Sequence, residues 1–177
     1  MGTWHRTHQR LQDSAIELFT AKGFDAVTAA EVAAAAGVSE MTLFRHFATK
    51  EQLILGDPFD PMIAVAIRQR PAQESAWKAC IRGLQDALEA VDVSVLARRL
   101  VLIANSGIPI TALQNNNEAT VDAIVEALIA RGEQRLQAQV IAGAVIAGLS
   151  RGLLTWAMDQ QPDIQQAFTQ IFTALER

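Results

Sequence analysis

The amino-acid sequence predicts an all-α protein: an N-terminal three-helix unit containing a helix-turn-helix, followed by a helical bundle. Apolar residues recur three and four positions apart, as in Leu11, Ala15, Leu18 and Phe19, or Trp77, Ile81, Leu84 and Leu88. No stretch shows the strict alternation of a half-buried strand. Glycines, prolines and capping residues fall between the periodic runs. The 177 residues suit a small domain joined to a medium one, with an expected division into 1–55 and 56–177.

The first helix is expected over residues 10–22, ended by Gly23, with Phe24 packing back. Thr28 is a good N-cap, and Glu31 three residues later completes a capping box. Residues 29–36 are nearly all Ala, Val and Glu, strong to moderate helix formers, and Gly37 stops them by entering the left-handed conformation. Ser39 caps a second short helix, whose Leu43 and Phe47 share one face. Thr49 and Gln52 form a second capping box for the helix that follows. Two short helices across a glycine turn make a helix-turn-helix, whose second helix enters the major groove. Ser39, Glu40, Met41 and Thr42 occupy its exposed N-terminal half. Thr42 suits a base edge or a thymine methyl. Glu40 suits cytosine N4, or simple solvation near the cap.

The run GDPFDP at 56–61 breaks the helix, as a hinge or a local irregularity. Helix resumes over 61–70, and Pro71 opens the next one with Glu74 in its first turn. Ser94 is expected to cap a helix over 95–105, and residues 106–109 turn. The polar run 115–117 (Asn-Asn-Asn) is expected as a loop or cap before a helix over 119–130. The longest helix is expected over 134–159. A last one, over 163–175, carries Ile164, Ala167, Phe168, Ile171, Phe172 and Leu175 on one face.

Residues 10–53 resemble the DNA-binding domain of the TetR family of bacterial regulators. The resemblance rests on Ala15, Leu18, Phe19, Gly23, Phe24, Thr28, Val32, Ala33, Ala36, Gly37, Val38, Ser39, Thr42, Leu43, Phe44, His46, Phe47, Lys50, Glu51 and Leu53, in order and spacing. It implies a dimeric regulator on a palindromic double-stranded DNA operator, released by a small-molecule effector bound in the C-terminal part. It also implies phosphate contacts from Thr28, Arg45, His46, Lys50 and the neighbourhood of Phe44. The family usually has Tyr where this chain has Phe44; the sequence contains no tyrosine, so that hydroxyl is missing and Arg45 is the candidate to compensate. Arg6 and Arg10 are either phosphate contacts or solvated. The family pairs its last two helices in dimers, which points to Ala144, Gly148, Phe168 and Phe172; the alternative is that they face their own core. A looser resemblance to mycofactocin-type regulators rests on Arg70-Pro71, residues 98–103, Pro109, Arg131 and Trp156.

Net charge is −4, and residues 1–56 hold five Lys/Arg against six Asp/Glu. Any grip on DNA therefore relies on local cations, hydroxyls and helix N-termini, and a modest salt slope is expected. This acidity and Phe44 also motivate an alternative: a helical small-molecule-binding protein that no longer reads an operator. The single Cys80 excludes an internal disulfide and suits a reducing cytoplasm; it is either packed or reactive. No secretion signal, transmembrane helix or membrane partner is expected; the apolar residues 136–149 are expected as a core helix. His5 and His8 have helical metal-ligand spacing but no third ligand in a terminus expected to fray, so neither metal nor cofactor is expected. No P-loop or Gly-x-Ser-x-Gly is present, and enzymatic activity is not expected. Met62, Trp77, Ile81, Leu102, Asn105, Trp156 and Phe59 are candidate walls of an apolar cavity, or ordinary core. With few buried cations nameable, a neutral or hydrophobic effector is expected.

Overall fold

In a computed structural model, residues 3–56, 60–159 and 163–176 are described. Every regular element among them is a helix. The N-terminal unit holds α1 (Thr3–Lys22), α2 (Ala29–Ala35), α3 (Glu40–His46) and the one-turn α4 (Gln52–Leu55). The larger part holds α5 (Asp60–Gln69), α6 (Ala76–Glu89), α7 (Val93–Asn105), α8 (Ile110–Ala130), α9 (Arg135–Met158) and α10 (Ile164–Leu175).

Two apolar cores result. Leu11, Phe19, Val32, Leu43, Leu53 and Ile54 are fully buried in the first, and Phe24 meets Phe19 edge-on at 5.0 Å. Ile67, Ile81, Leu84, Ile124 and Leu128 are fully buried in the second, where α5 packs on α6 and α8, and α8 on α9. The cores meet along α7, which packs on α1, α4 and α9; its Ile103 belongs to the first core and its Leu100 to the second. At Gly83 the backbones of α5 and α6 nearly touch: a Cβ there would lie 2.5 Å from Ile67 Cγ1. Cys80 is buried in the second core, and burial pushes its thiol up to about 12.

Several boundaries differ from the sequence expectation. α1 begins at Thr3 rather than fraying, because Trp4 and His8 pack on the end of α3. α7 is capped by Asp92 instead of Ser94; the Asp92 carboxylate accepts from the amides of Ser94 and Val95 and from the Ser94 hydroxyl. α6 starts after Ser75, not Pro71, since Arg131 holds the intervening turn through the carbonyls of Arg70, Pro71 and Glu74. Arg70 and Arg131, singled out separately in the sequence, thus meet. The second capping box is half formed: Thr49 Oγ1 accepts from the Gln52 amide at 3.4 Å, while Gln52 Oε1 accepts from the Ala48 amide at 2.7 Å instead of the Thr49 amide. The asparagine run forms no loop. α8 is continuous from Ile110, and Asn116 and Asn117 find partners outside it, which offsets asparagine's preference for local backbone bonds. Residues 57–59 of GDPFDP, with Phe59, lie outside the described residues.

α9 is long and apolar enough to cross a membrane by length and composition alone, with only 33% of its most apolar window buried. One side packs on α6, α7, α8 and α10. The other carries exposed Leu136, Val140, Ala144, Ala147 and Met158.

Candidate nucleic-acid interface and internal cavity

Local chemistry places α2 and α3. Thr28 Oγ1 accepts from the Glu31 amide while Glu31 accepts from the Thr28 amide at 2.8 Å. That bond and the Lys22 ammonium at 3.0 Å hold the Glu31 carboxyl down at about 2. Gly37 takes the turn at φ 65°, where a side chain would be strained. Ser39 Oγ accepts from the Thr42 amide at 3.2 Å and lies 2.9 Å from the Thr42 hydroxyl. Leu43 and Phe47 point inward and are buried. The outward face of α3 is therefore Glu40, Met41, Phe44 and Arg45, with Met41 77% and Phe44 47% exposed.

Two expected phosphate contacts turn out to be engaged elsewhere. The Lys50 ammonium donates to the carbonyls of Phe24 (2.8 Å) and Val27 (3.0 Å) and lies 4.2 Å from the Phe24 ring centroid. It clips the α1–α2 loop to the end of α3, and the carbonyls take two of its three donors. The His46 ring stacks on Trp4 at 4.8 Å, and Trp4 also stacks on His8. Desolvation first, then Arg45, holds the His46 pKa below its ordinary value. No group of three or more His, Cys, Asp or Glu poised for a metal exists among the described residues.

A cavity of about 130 Å³ lies between α4 and α5–α9, walled by Leu55, Ile63, Leu84, Leu100, Ile146 and Leu153 among others. Its polar wall is Arg99, Asn116, Asn117, Thr120 and Ser150. None of the six described residues expected to line it does so. Met62 faces an open groove beside α1 and α7. Trp77 donates Nε1–H to the Leu175 carbonyl at 2.8 Å, and Asn105 donates to the Val101 carbonyl of its own helix. Ile81 is ordinary core, Leu102 packs on the N-terminal core, and Trp156 borders a cleft between α9 and α10. The expectation failed because helical periodicity gives the inward stripe of a helix, but not which stretch of the stripe meets a void. Arg99 was legible in principle: it shares the inward stripe of Leu96, Leu100 and Ile103, where a charge needs a reason. Of the candidate dimer residues, Ala144 is exposed. Phe168 and Phe172 are buried in their own core, and a Cβ on Gly148 would meet Leu175 of the same chain at 2.8 Å. Phe168 and Phe172 are thus largely taken up by their own chain, while Gly148 keeps partial exposure.

The cavity joins the N-terminal unit through the end of α4. Arg99 donates to the carbonyls of Ile54 and Gly56. Asn116 donates to Leu55 O at 2.7 Å, and Gln12 of α1 to Gly56 O at 3.0 Å. Side chains of α1, α7 and α8 thus hold three successive carbonyls that a helix end leaves unpaired.

The sequence profile of "Bacterial regulatory proteins, tetR family" matches residues 11–56, the stretch that folds into most of α1 together with α2, α3 and α4. The chain carries a TetR-family N-terminal domain. Relatives extend the likeness. The HTH-type transcriptional regulator TcmR of Streptomyces glaucescens is 36% identical over 97 residues, covering 49% of this chain and 43% of that protein. The putative mycofactocin biosynthesis transcriptional regulator MftR of Mycobacterium tuberculosis is 45% identical over 51 residues, 29% of this chain and 26% of its own length. The match thus spans less than half the length of either curated relative. A solved TetR transcriptional regulator from Rhodococcus sp. RHA1 shares the fold across 99% of this chain and 96% of its own, at a TM-score of 0.64 and 20% identity. The TetR-type fold therefore extends through the helical bundle.

Proposed function

We propose that the protein is a dimeric, effector-responsive DNA-binding transcriptional regulator of the cytoplasm, acting as a repressor on a palindromic operator. The observation that carries this is the outward face of α3 on a TetR-family domain whose α4 is tied by side chains to an internal cavity. Glu40, Met41, Thr42 and Ser39 lie at the N-terminal half of α3, where base edges are met; Met41 and the Thr42 methyl suit thymine methyls. Thr28, Arg45 and the exposed edge of Phe44 flank the backbone path. Lys50 and His46 serve by positioning α3. A second copy of the chain covers the apolar stripe of α9 that runs through Leu136, Val140, Ala144 and Ala147, and supplies the two-fold symmetry a palindrome needs. The effector occupies the cavity and is predominantly apolar; no enzymatic activity is part of this function.

The test is a salt-dependent binding titration of the chain on its own upstream DNA, with a scrambled duplex as control. Palindrome-specific binding with a shallow salt slope is expected. No specific binding at low salt overturns the proposal in favour of a ligand-binding protein without operator recognition.

A further inference from the structure

The polar wall of the cavity is not spread evenly. Asn117 Nδ2 donates to Ser150 Oγ at 2.9 Å. Arg99 and Asn116 instead reach past the cavity to the carbonyls of Ile54, Leu55 and Gly56. Arg99 is 91% buried and makes further contact besides these two bonds. A guanidinium in a largely aliphatic cavity wall has a definite ligand preference. It binds a carboxylate through two parallel hydrogen bonds in which both partners are charged, a fork geometry that separate neutral carbonyls do not offer.

We infer that the cavity takes a small, largely hydrocarbon carboxylic acid about one ring in size, whose carboxylate claims Arg99 and Asn116 from the carbonyls that end α4. The class follows from the walls and the size from the volume: an apolar void of ~150 Å³ accepts a benzene ring, and this cavity measures about 130 Å³. The anionic head departs from the expectation of a neutral effector, which rested on few buried cations being nameable and left Arg99 out. The regulatory consequence follows from linkage. The acid gains its best hydrogen bonds only where α4 has been let go, so it favours the state in which α4, and α3 next to it, is less firmly held. Tight DNA binding weakens the acid by the same factor. A neutral ligand of equal shape fills the aliphatic part and leaves α4 tied.

The ligand class itself needs no DNA; its regulatory consequence rests on the function proposed above. The test measures calorimetric binding of benzoate, phenylacetate and hexanoate against their primary amides, using the full chain. At least one acid is expected to bind ten-fold or more tighter than its amide. Hydrogen exchange at residues 52–56 should quicken with that acid and stay unchanged with the amide. Arg99→Gln should abolish the acid preference; where that variant folds poorly, Asn116→Ala should reduce it several-fold and quicken exchange at 52–56 without ligand. Equal binding of acid and amide, no binding of any panel member, or acid binding without faster exchange overturns the inference. Acid preference without any palindrome-specific DNA binding would leave the ligand class standing and remove the operator reading. Operator binding without acid preference would do the reverse.

Discussion

The two cores of this chain are specified in different ways. Around α2 and α3, the determinants are local: Thr28 and Glu31 cap each other three residues apart, Gly37 takes the one left-handed turn between them, and Ser39 caps the next helix. Around α5–α10 the helices are longer, and caps matter less than which face meets which neighbour. Asn116 is indifferent to helix on propensity, yet it lies inside α8 because Leu55 O is within reach. The small unit is drawn by short-range chemistry and the large one by packing, and α7 belongs to both.

The largest expected effect tests whether α7 welds the cores into one cooperative unit. Leu43 has no exposed surface. Leu43→Ala should cost about 2–5 kcal/mol through lost burial and the cavity left behind. Because Ile103 packs in the first core and Leu100 beside it in the second, far-UV circular dichroism and tryptophan fluorescence should still lose their signals together on urea unfolding. Separated transitions would show that the units unfold independently.

Gly83→Ala probes the large core from the opposite direction. The added methyl would meet Ile67 Cγ1 at 2.5 Å and Ile67 Cα at 2.9 Å, and a backbone atom cannot rotate away. Overpacking of this kind costs about 1–3 kcal/mol. Thermal melts should show the loss, and an Ile67→Ala background, which removes Cγ1, should recover part of it: Gly83→Ala should cost less there than in the parent. Absence of recovery would place the strain in the backbone contact alone.

The capping box gives a smaller effect with a pH signature. Thr28→Ala should cost ~1 kcal/mol near pH 7. The Glu31 carboxyl lies at about 2 in the folded chain, below its ordinary 4.5. Its contribution is therefore present above pH 4.5 and lost as pH falls towards 2. Urea midpoints measured from pH 6 to 2.5 should fall less steeply for the variant than for the parent. Parallel curves would mean that the amide of residue 28 and Lys22, both kept in the variant, hold Glu31 without the hydroxyl.

Legibility followed the same division. Gly23, Thr28, Gly37, Ser39 and the buried pair Leu43 and Phe47 were readable because each acts within a few residues of itself. The inward stripe of α7 marks Arg99, but the roles of Arg99, Asn116 and Lys50 were not readable, because their partners lie tens of residues away. Lys50 looked like a phosphate contact until the carbonyls of Phe24 and Val27 were seen to hold it. Phe168 and Phe172 were correctly placed on one face of α10, but periodicity does not say whether that face meets its own chain or a copy. On α9 the outward stripe stays open among the described residues, with Leu136 72% exposed.

The smallest change in stability separates holding α3 from using it. Arg45 is exposed on α3 and makes no ion pair among the described residues. Arg45→Ala should leave stability within about 0.5 kcal/mol of the parent. It should nonetheless weaken binding to operator and scrambled DNA alike, and reduce the salt slope by about one. Lys50→Ala should behave differently: it frees two carbonyls and the clip on the α1–α2 loop, so stability falls and binding falls with it. Restoring stability with a mild osmolyte should then rescue DNA binding by Lys50→Ala but not by Arg45→Ala. If neither variant is rescued and both lower the salt slope, the Lys50 ammonium leaves its carbonyls for phosphate when DNA arrives, and the assignment of Lys50 to positioning fails.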